Sequence, residues 1–309
     1  MSDWAIIAAR LLQFGSALVL SGSSLFYLYG YTPAPSAGRW GWPRIGLLVS
    51  AATALIGVAW WVTTQAAIFF PDAGAFDPNA NWILLTETRF GRICLIRAGL
   101  LAISIVATLA LSPARTLWVV QSILGAAVVV SFAWTGHGVY DSGWSGALHT
   151  ASDVLHLLAA GVWIGALVPL AVLIARSLRT KTESDARTAL NGLGRFSGIG
   201  PAVVAVLVLT GLVNSWFLVG IAQWQALFTS TYGITLAIKL GLFGGMLLLA
   251  AVNRYRLTPK LRSGIEQGVP PFRVLQSFRT SVLTETGLGM VIVTAVAVLG
   301  TLEPPVAGN

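Results

Sequence analysis

The chain has 309 residues, of which 56% are hydrophobic and 10% charged, with a net charge of +8 and a mean hydropathy of +0.79. Soluble domains carry roughly 25% charged residues, so a water-soluble globule is excluded and the solvent of this chain is a lipid bilayer. The excess positive charge does not indicate nucleic acid, because the basic residues lie in short connections between apolar runs and not on one face.

A membrane-crossing helix needs about 20 apolar residues. In chain order the pattern predicts spans at 4–30, 44–70, 91–111, 115–136, 147–175, 196–219, 232–253 and 279–301. Pro33, Pro35, Pro71, Pro78, Pro113, Pro270 and Pro271 fall in the connections, where a missing backbone N–H costs least. No Ser- or Gly-rich linker divides the chain, so the expectation is an all-α protein of about eight transmembrane helices in one membrane domain, residues 1–309. The odd-numbered loops hold fourteen lysines and arginines, and the even-numbered loops hold only Arg89 and Arg92. The positive-inside rule then puts the odd loops in the cytoplasm and both termini on the extracytoplasmic side. On that outer side lie Asp3, Asp72, Asp77, Glu87, Asp141 and Glu303, an acidic mouth that would concentrate cations.

The first span carries Arg10 and Gln13, the second Thr64 and Gln65, and the third Cys94 and Arg97. Further along, Thr210 and Asn214 sit on the sixth span and Lys239 on the seventh. All fall in the outer third of the bilayer, and ionisable groups there are costly, so a polar cavity opening outward is predicted. A single cysteine excludes an intrachain disulfide, and a lone buried thiol is more often packing than ligand. Glu285, on the inner side of the last span, is expected to pair with Arg195 or Arg279. The small-xxx-small pairs Gly161/Gly165, Gly194/Gly198 and Gly241/Gly245 are expected to let helices approach closely.

All three histidines fall within twenty residues. His137 lies at the outer end of the fourth span, and His149, Asp153 and His156 are spaced i, i+4, i+7 on the fifth. That spacing stacks the last three on one helix face, with Ser152, Ala160 and Trp163 continuing the stripe. Imidazole and carboxylate are ligands for Cu(II), Zn(II) and Ni(II), and imidazole also for Cu(I). With only Met1, Met246 and Met290 in the chain, a thioether-lined Cu(I) conduit is not expected.

The run His149-x-x-x-Asp153-x-x-His156 followed by Trp163-Ile-Gly165, then Arg195-Phe-Ser197 and Thr210-Gly211, resembles the copper resistance protein D family (CopD, PcoD). Tyr232-Gly233 through Lys239, Asn253-Arg254 through Leu257-Thr258-Pro259, and Glu285-x-x-Leu288-Gly289 fit the same pattern. The resemblance covers the whole chain in order, most firmly residues 130–300. It implies an eight-helix protein of copper homeostasis in the bacterial inner membrane, not an enzyme. It also implies that copper is received from a separate periplasmic carrier of the CopC type and moved toward the cytoplasm. Carried over by position, the copper-related residues are His149, Asp153 and His156, with His137 beside them. The residues themselves leave two other readings open. One is a haem-binding electron-transfer protein of the cytochrome b561 type, with Arg10, Arg97 or Lys239 on the propionates. The other is a copper-binding sensor or scaffold that does not transport.

Overall fold

A computed structural model of the chain describes residues 3–31, 41–73, 76–135, 143–220, 225–259, 263 and 271–305. These are helical throughout their ordered elements, with no strand among the described residues. The helices are α1 (Asp3–Tyr29), α2 (Trp42–Phe69), α3 (Pro78–Glu87), α4 (Arg89–Ala110) and α5 (Arg115–Val130), the last tightened by a 3₁₀ turn over Ser131–Thr135. They continue as α6 (Gly143–Thr180), α7 (Glu183–Leu218), α8 (Ala226–Thr229), α9 (Thr231–Val252) and α10 (Pro271–Leu299), and a π-helical turn over Asn253–Leu257 extends α9. Eight of them, all but α3 and α8, are long and apolar enough to cross a membrane.

Local chemistry sets the starts. Asp77 caps α3 by accepting from the Ala80 amide at 2.7 Å, with Pro78 at the first helical position. Thr88 joins α3 to α4: its hydroxyl donates to the Leu84 carbonyl at 2.6 Å and accepts from the Gly91 amide at 2.9 Å. Ser230 caps α9 through the Gly233 amide at 3.0 Å. Helix α3 has no counterpart among the predicted spans, because its ten residues are too short and too mixed to register as an apolar run.

The largest departure from expectation lies between α6 and α7. Residues 176–195 read as a basic loop, yet they are helical, and the two helices meet at a tight turn through Lys181, whose φ of 52° is left-handed. At 1.5 Å per residue, the 38 residues of α6 extend about 57 Å, well beyond a hydrocarbon core of about 30 Å. Hydropathy marks only the lipid-facing part of such a helix. The polar remainder, rich in Ala, Leu and Arg, keeps the helix going without lipid contact. Glu183 and Asp185 in the first turn of α7 favour its start electrostatically.

Helix α1 is the hub, packing on α2, α5, α6 and α10. Its approach to α6 is close enough to demand glycine. A Cβ on Gly22 would lie 1.9 Å from the Gly161 carbonyl oxygen, and one on Gly165 would lie 2.4 Å from the Leu18 carbonyl oxygen. Ser23 Oγ adds a hydrogen bond to the Gly165 carbonyl at 2.8 Å. The expectation for the other two glycine pairs is not met. Gly194, Gly198 and Gly241 have nothing within 4 Å of a built Cβ, and Gly245 touches only the Leu288 side chain at 3.9 Å. Between α4 and α5, Gln121 exchanges hydrogen bonds with Ser104 and Thr108 at 2.6–2.8 Å, all fully buried.

Glu285 also differs from expectation. Its carboxylate, 2% exposed on α10, accepts from Asn253 Nδ2 at the π turn, and it forms no ion pair with Arg195 or Arg279. Arg195 instead donates to the Tyr29 carbonyl at 2.7 Å, reaching across to the end of α1. Helix ends offer unpaired carbonyls, and a long cationic side chain satisfies one more readily than it reaches a buried acid.

Candidate functional site

Six spans and the 3₁₀ turn after α5 line a cavity of about 560 Å³. It is bounded by the first half of α1, Trp61 of α2, the 3₁₀ turn after α5, the first half of α6, the end of α7, the start of α9 and the end of α10. His149, Asp153, His156 and Trp163 of α6 all line it, so the predicted stripe does face a single space.

The deepest histidine is the best defined. His156 Nδ1 lies 2.9 Å from Thr210 Oγ1 on α7, and that hydroxyl donates its own hydrogen to the Val206 carbonyl at 2.5 Å. A hydroxyl has one hydrogen, so a Thr210 hydroxyl that donates to Val206 accepts from a protonated His156 Nδ1, and Nε2 then carries the lone pair that could take a metal ion. Ser152 Oγ, donating to the Thr210 carbonyl at 3.1 Å, ties the same turn of α6 to α7. Seven residues earlier, about 10 Å along the helix, the His149 ring stacks on Phe217 with centroids 4.6 Å apart and planes 6° from parallel. The ring is thereby held at 4% exposure.

Asp153 lies between them and accepts from Asn214 Nδ2 at 3.4 Å. The ionisable groups that act on it are His149 and Lys239. Lys239, from α9, faces the same space and has His156 and Asp153 nearby. The groups stand along the wall: among the described residues no three His, Cys, Asp or Glu side chains converge tightly enough to hold one ion. His137 lies outside the described residues.

The remaining polar residues separate into two groups. Arg10, Asn214 and Lys239 line the cavity; Arg97 and Cys94 do not. Arg97 is fully buried behind it. It donates to Ser131 Oγ and Gln13 Oε1 at 2.9 Å and to the Ser131 carbonyl and Thr135 Oγ1 at 3.2 Å, with Phe132 stacked 3.9 Å from Cζ. That is a brace joining α4 to α1 and to the end of α5. Cys94, 1% exposed, packs in the core beside it. Tyr232, Trp61, Thr135 and Ser215 also line the cavity. The sequence alone did not single these out as site residues, because aromatic and hydroxyl residues near helix ends resemble ordinary membrane-interface positions.

Residues 1–147 match the family described as Copper resistance protein D-like, N-terminal domain, and residues 190–299 match that described as Copper resistance protein D. The chain is 35% identical to Copper resistance protein D of Pseudomonas syringae pv. tomato, over 98% of each chain. This chain belongs to the copper resistance protein D family. It is also 24% identical to Inner membrane protein YebZ of Escherichia coli K12, over 96% of this chain and 98% of that one. Copper transport protein CutJ of Bacillus subtilis 168 is 29% identical over 75% of this chain and 40% of its own length. No solved structure matches. The chain is therefore a multi-pass membrane protein of a copper resistance and transport family.

Proposed function

We propose that the protein moves copper from the periplasm toward the cytoplasm across the bacterial inner membrane, with His149, Asp153 and His156 as successive stations in the cavity. The observation that carries this reading is the convergence of both described histidines and Asp153 on the wall of one cavity in a chain of this family. A row of ligands about 10 Å long suits an ion handed from group to group better than one held permanently. The His156 tautomer supports ligation, since metal-binding imidazoles usually donate their other N–H to a fixed acceptor.

Orientation follows from charge. The helix ends around the cavity are those joined by the even-numbered loops and the termini, which hold almost no lysine or arginine. By the positive-inside rule this end faces the periplasm, where a CopC-like carrier would deliver copper. Asp72, Asp77 and Glu87 on the same side would attract the cation or a basic carrier surface. A haem reading would need His137, which lies outside the described residues, as the second axial ligand beside His156.

Cellular copper content with His156→Ala against wild type, at matched membrane expression, tests transport. A fall to the level of cells lacking the protein is expected. Equal accumulation would refute it and leave a sensor or scaffold.

A further inference from the structure

The copper stations occupy the α6, α7 and α9 side of the cavity. The opposite corner, formed by α1, α2 and the end of α10, has a different chemistry. Arg10 projects there, with its guanidinium carbon 5.2 Å from the centre of the Trp61 ring and its terminal nitrogen packed against Gly300. Arg97 lies over the same ring, its guanidinium carbon 5.9 Å from the centre. Two guanidinium groups thus share one indole, and neither forms an ion pair among the described residues.

The unsatisfied polar atoms of this corner are all donors. Arg10 Nε, Gln13 Nε2 and Trp61 Nε1 are buried without a hydrogen-bond partner. Gln13 is 1% exposed and Trp61 3%, and both line the cavity. Gln13 has no freedom to turn: its Oε1 accepts from Arg97 at 2.9 Å, so its NH₂ is directed away from Arg97. Asp153 forms no ion pair with Arg10, and the ionisable groups that act on it are His149 and Lys239. A partly buried cation with no carboxylate, beside two buried donors with no acceptor, is costly unless something negative fills the space.

We propose that the corner formed by Arg10, Gln13 and Trp61 is a binding site for an oxyanion, a carboxylate or phosphate group, seated across the cavity from the histidines. The planar guanidinium fork presents paired N–H groups suited to two anionic oxygens, and the Gln13 and Trp61 N–H groups complete the donor set. Arg97 is the positioning residue that aims Gln13. The anion comes either from solution or from a lipid headgroup, and the site stands independently of whether copper is transported.

The test uses the detergent-purified full chain. Thermal unfolding is followed with sodium acetate and with sodium phosphate against sodium chloride at equal ionic strength. In parallel, native mass spectrometry records retention of phosphatidylglycerol. Wild type should show either an upward Tm shift with the oxyanions or a retained phosphatidylglycerol, the first marking a free anion and the second a lipid. Arg10→Gln should weaken that response at least tenfold. Gln13→Glu keeps an oxygen for Arg97 and supplies the missing carboxylate from within, so it should raise Tm without added anion and abolish the response to it. Oxyanion and lipid responses that are absent in wild type, or equal in wild type, Arg10→Gln and Gln13→Glu, would overturn the proposal and leave a corner filled by water. Should Arg10→Gln fail to fold, Gln13→Glu alone decides between these outcomes.

Discussion

Replacing Thr210 with valine removes the acceptor that holds His156 while keeping the shape of the side chain. In the native arrangement the hydroxyl accepts from His156 Nδ1 at 2.9 Å and passes its own hydrogen to the Val206 carbonyl. Valine leaves Nδ1–H buried without a partner, which costs about 1–3 kcal/mol, and frees the ring to rotate or change tautomer. If that loss falls on the copper-bound state, each ~1.4 kcal/mol removes a factor of ten in affinity, so a 10–100-fold weakening is expected. The assay is competition with a Cu(I) chelator on detergent-purified protein, with Thr210→Ser alongside. Serine restores the hydroxyl and should recover most of the affinity. Wild-type affinity in Thr210→Val, or an equal loss in Thr210→Ser, would refute the assignment of Thr210 as the group that orients His156.

Three further outcomes follow from the packing and the buried polar groups. Gly165→Ala forces a Cβ to 2.4 Å from a backbone oxygen of α1 and should destabilise by at least about 1–3 kcal/mol, seen as a lower detergent Tm; Gly194→Ala, with open space around it, should leave Tm unchanged or slightly higher. Arg97→Lys cannot reproduce four hydrogen bonds in a fork to Ser131, Thr135 and Gln13 and should lower Tm clearly, while copper affinity per folded molecule stays near wild type. Glu285→Gln keeps an acceptor for Asn253 and should fold normally, whereas Glu285→Ala strands that amide and should cost about 1–3 kcal/mol, read as a difference in Tm between the two variants.

The helices and the shared face of His149, Asp153 and His156 were legible for simple reasons. Lipid imposes a long apolar run on every span, and the i, i+4, i+7 spacing of His149, Asp153 and His156 admits only one shared face. What the stripe faces was also readable, because polar groups inside a membrane need one another. The roles of the individual cations were not. Arg10 and Arg97 look alike in sequence and differ only in what the fold puts beside them: Arg97 meets four oxygen acceptors, Arg10 an indole and a glycine. Glu285 likewise found Asn253 because a π turn on α9 brings that amide to it, a local backbone feature that no periodicity announces. The helical stretch over 176–195 escaped hydropathy because its contacts are with other helices and water.

X-ray absorption spectroscopy of the copper-loaded, detergent-purified protein bears most directly on the claim that the cavity handles copper through its histidines. Nitrogen and oxygen neighbours with the multiple-scattering signature of imidazole are expected, with loss of that signature in the His149→Ala/His156→Ala double variant. A first shell dominated by sulfur, or an imidazole signal unchanged in that variant, would contradict that claim.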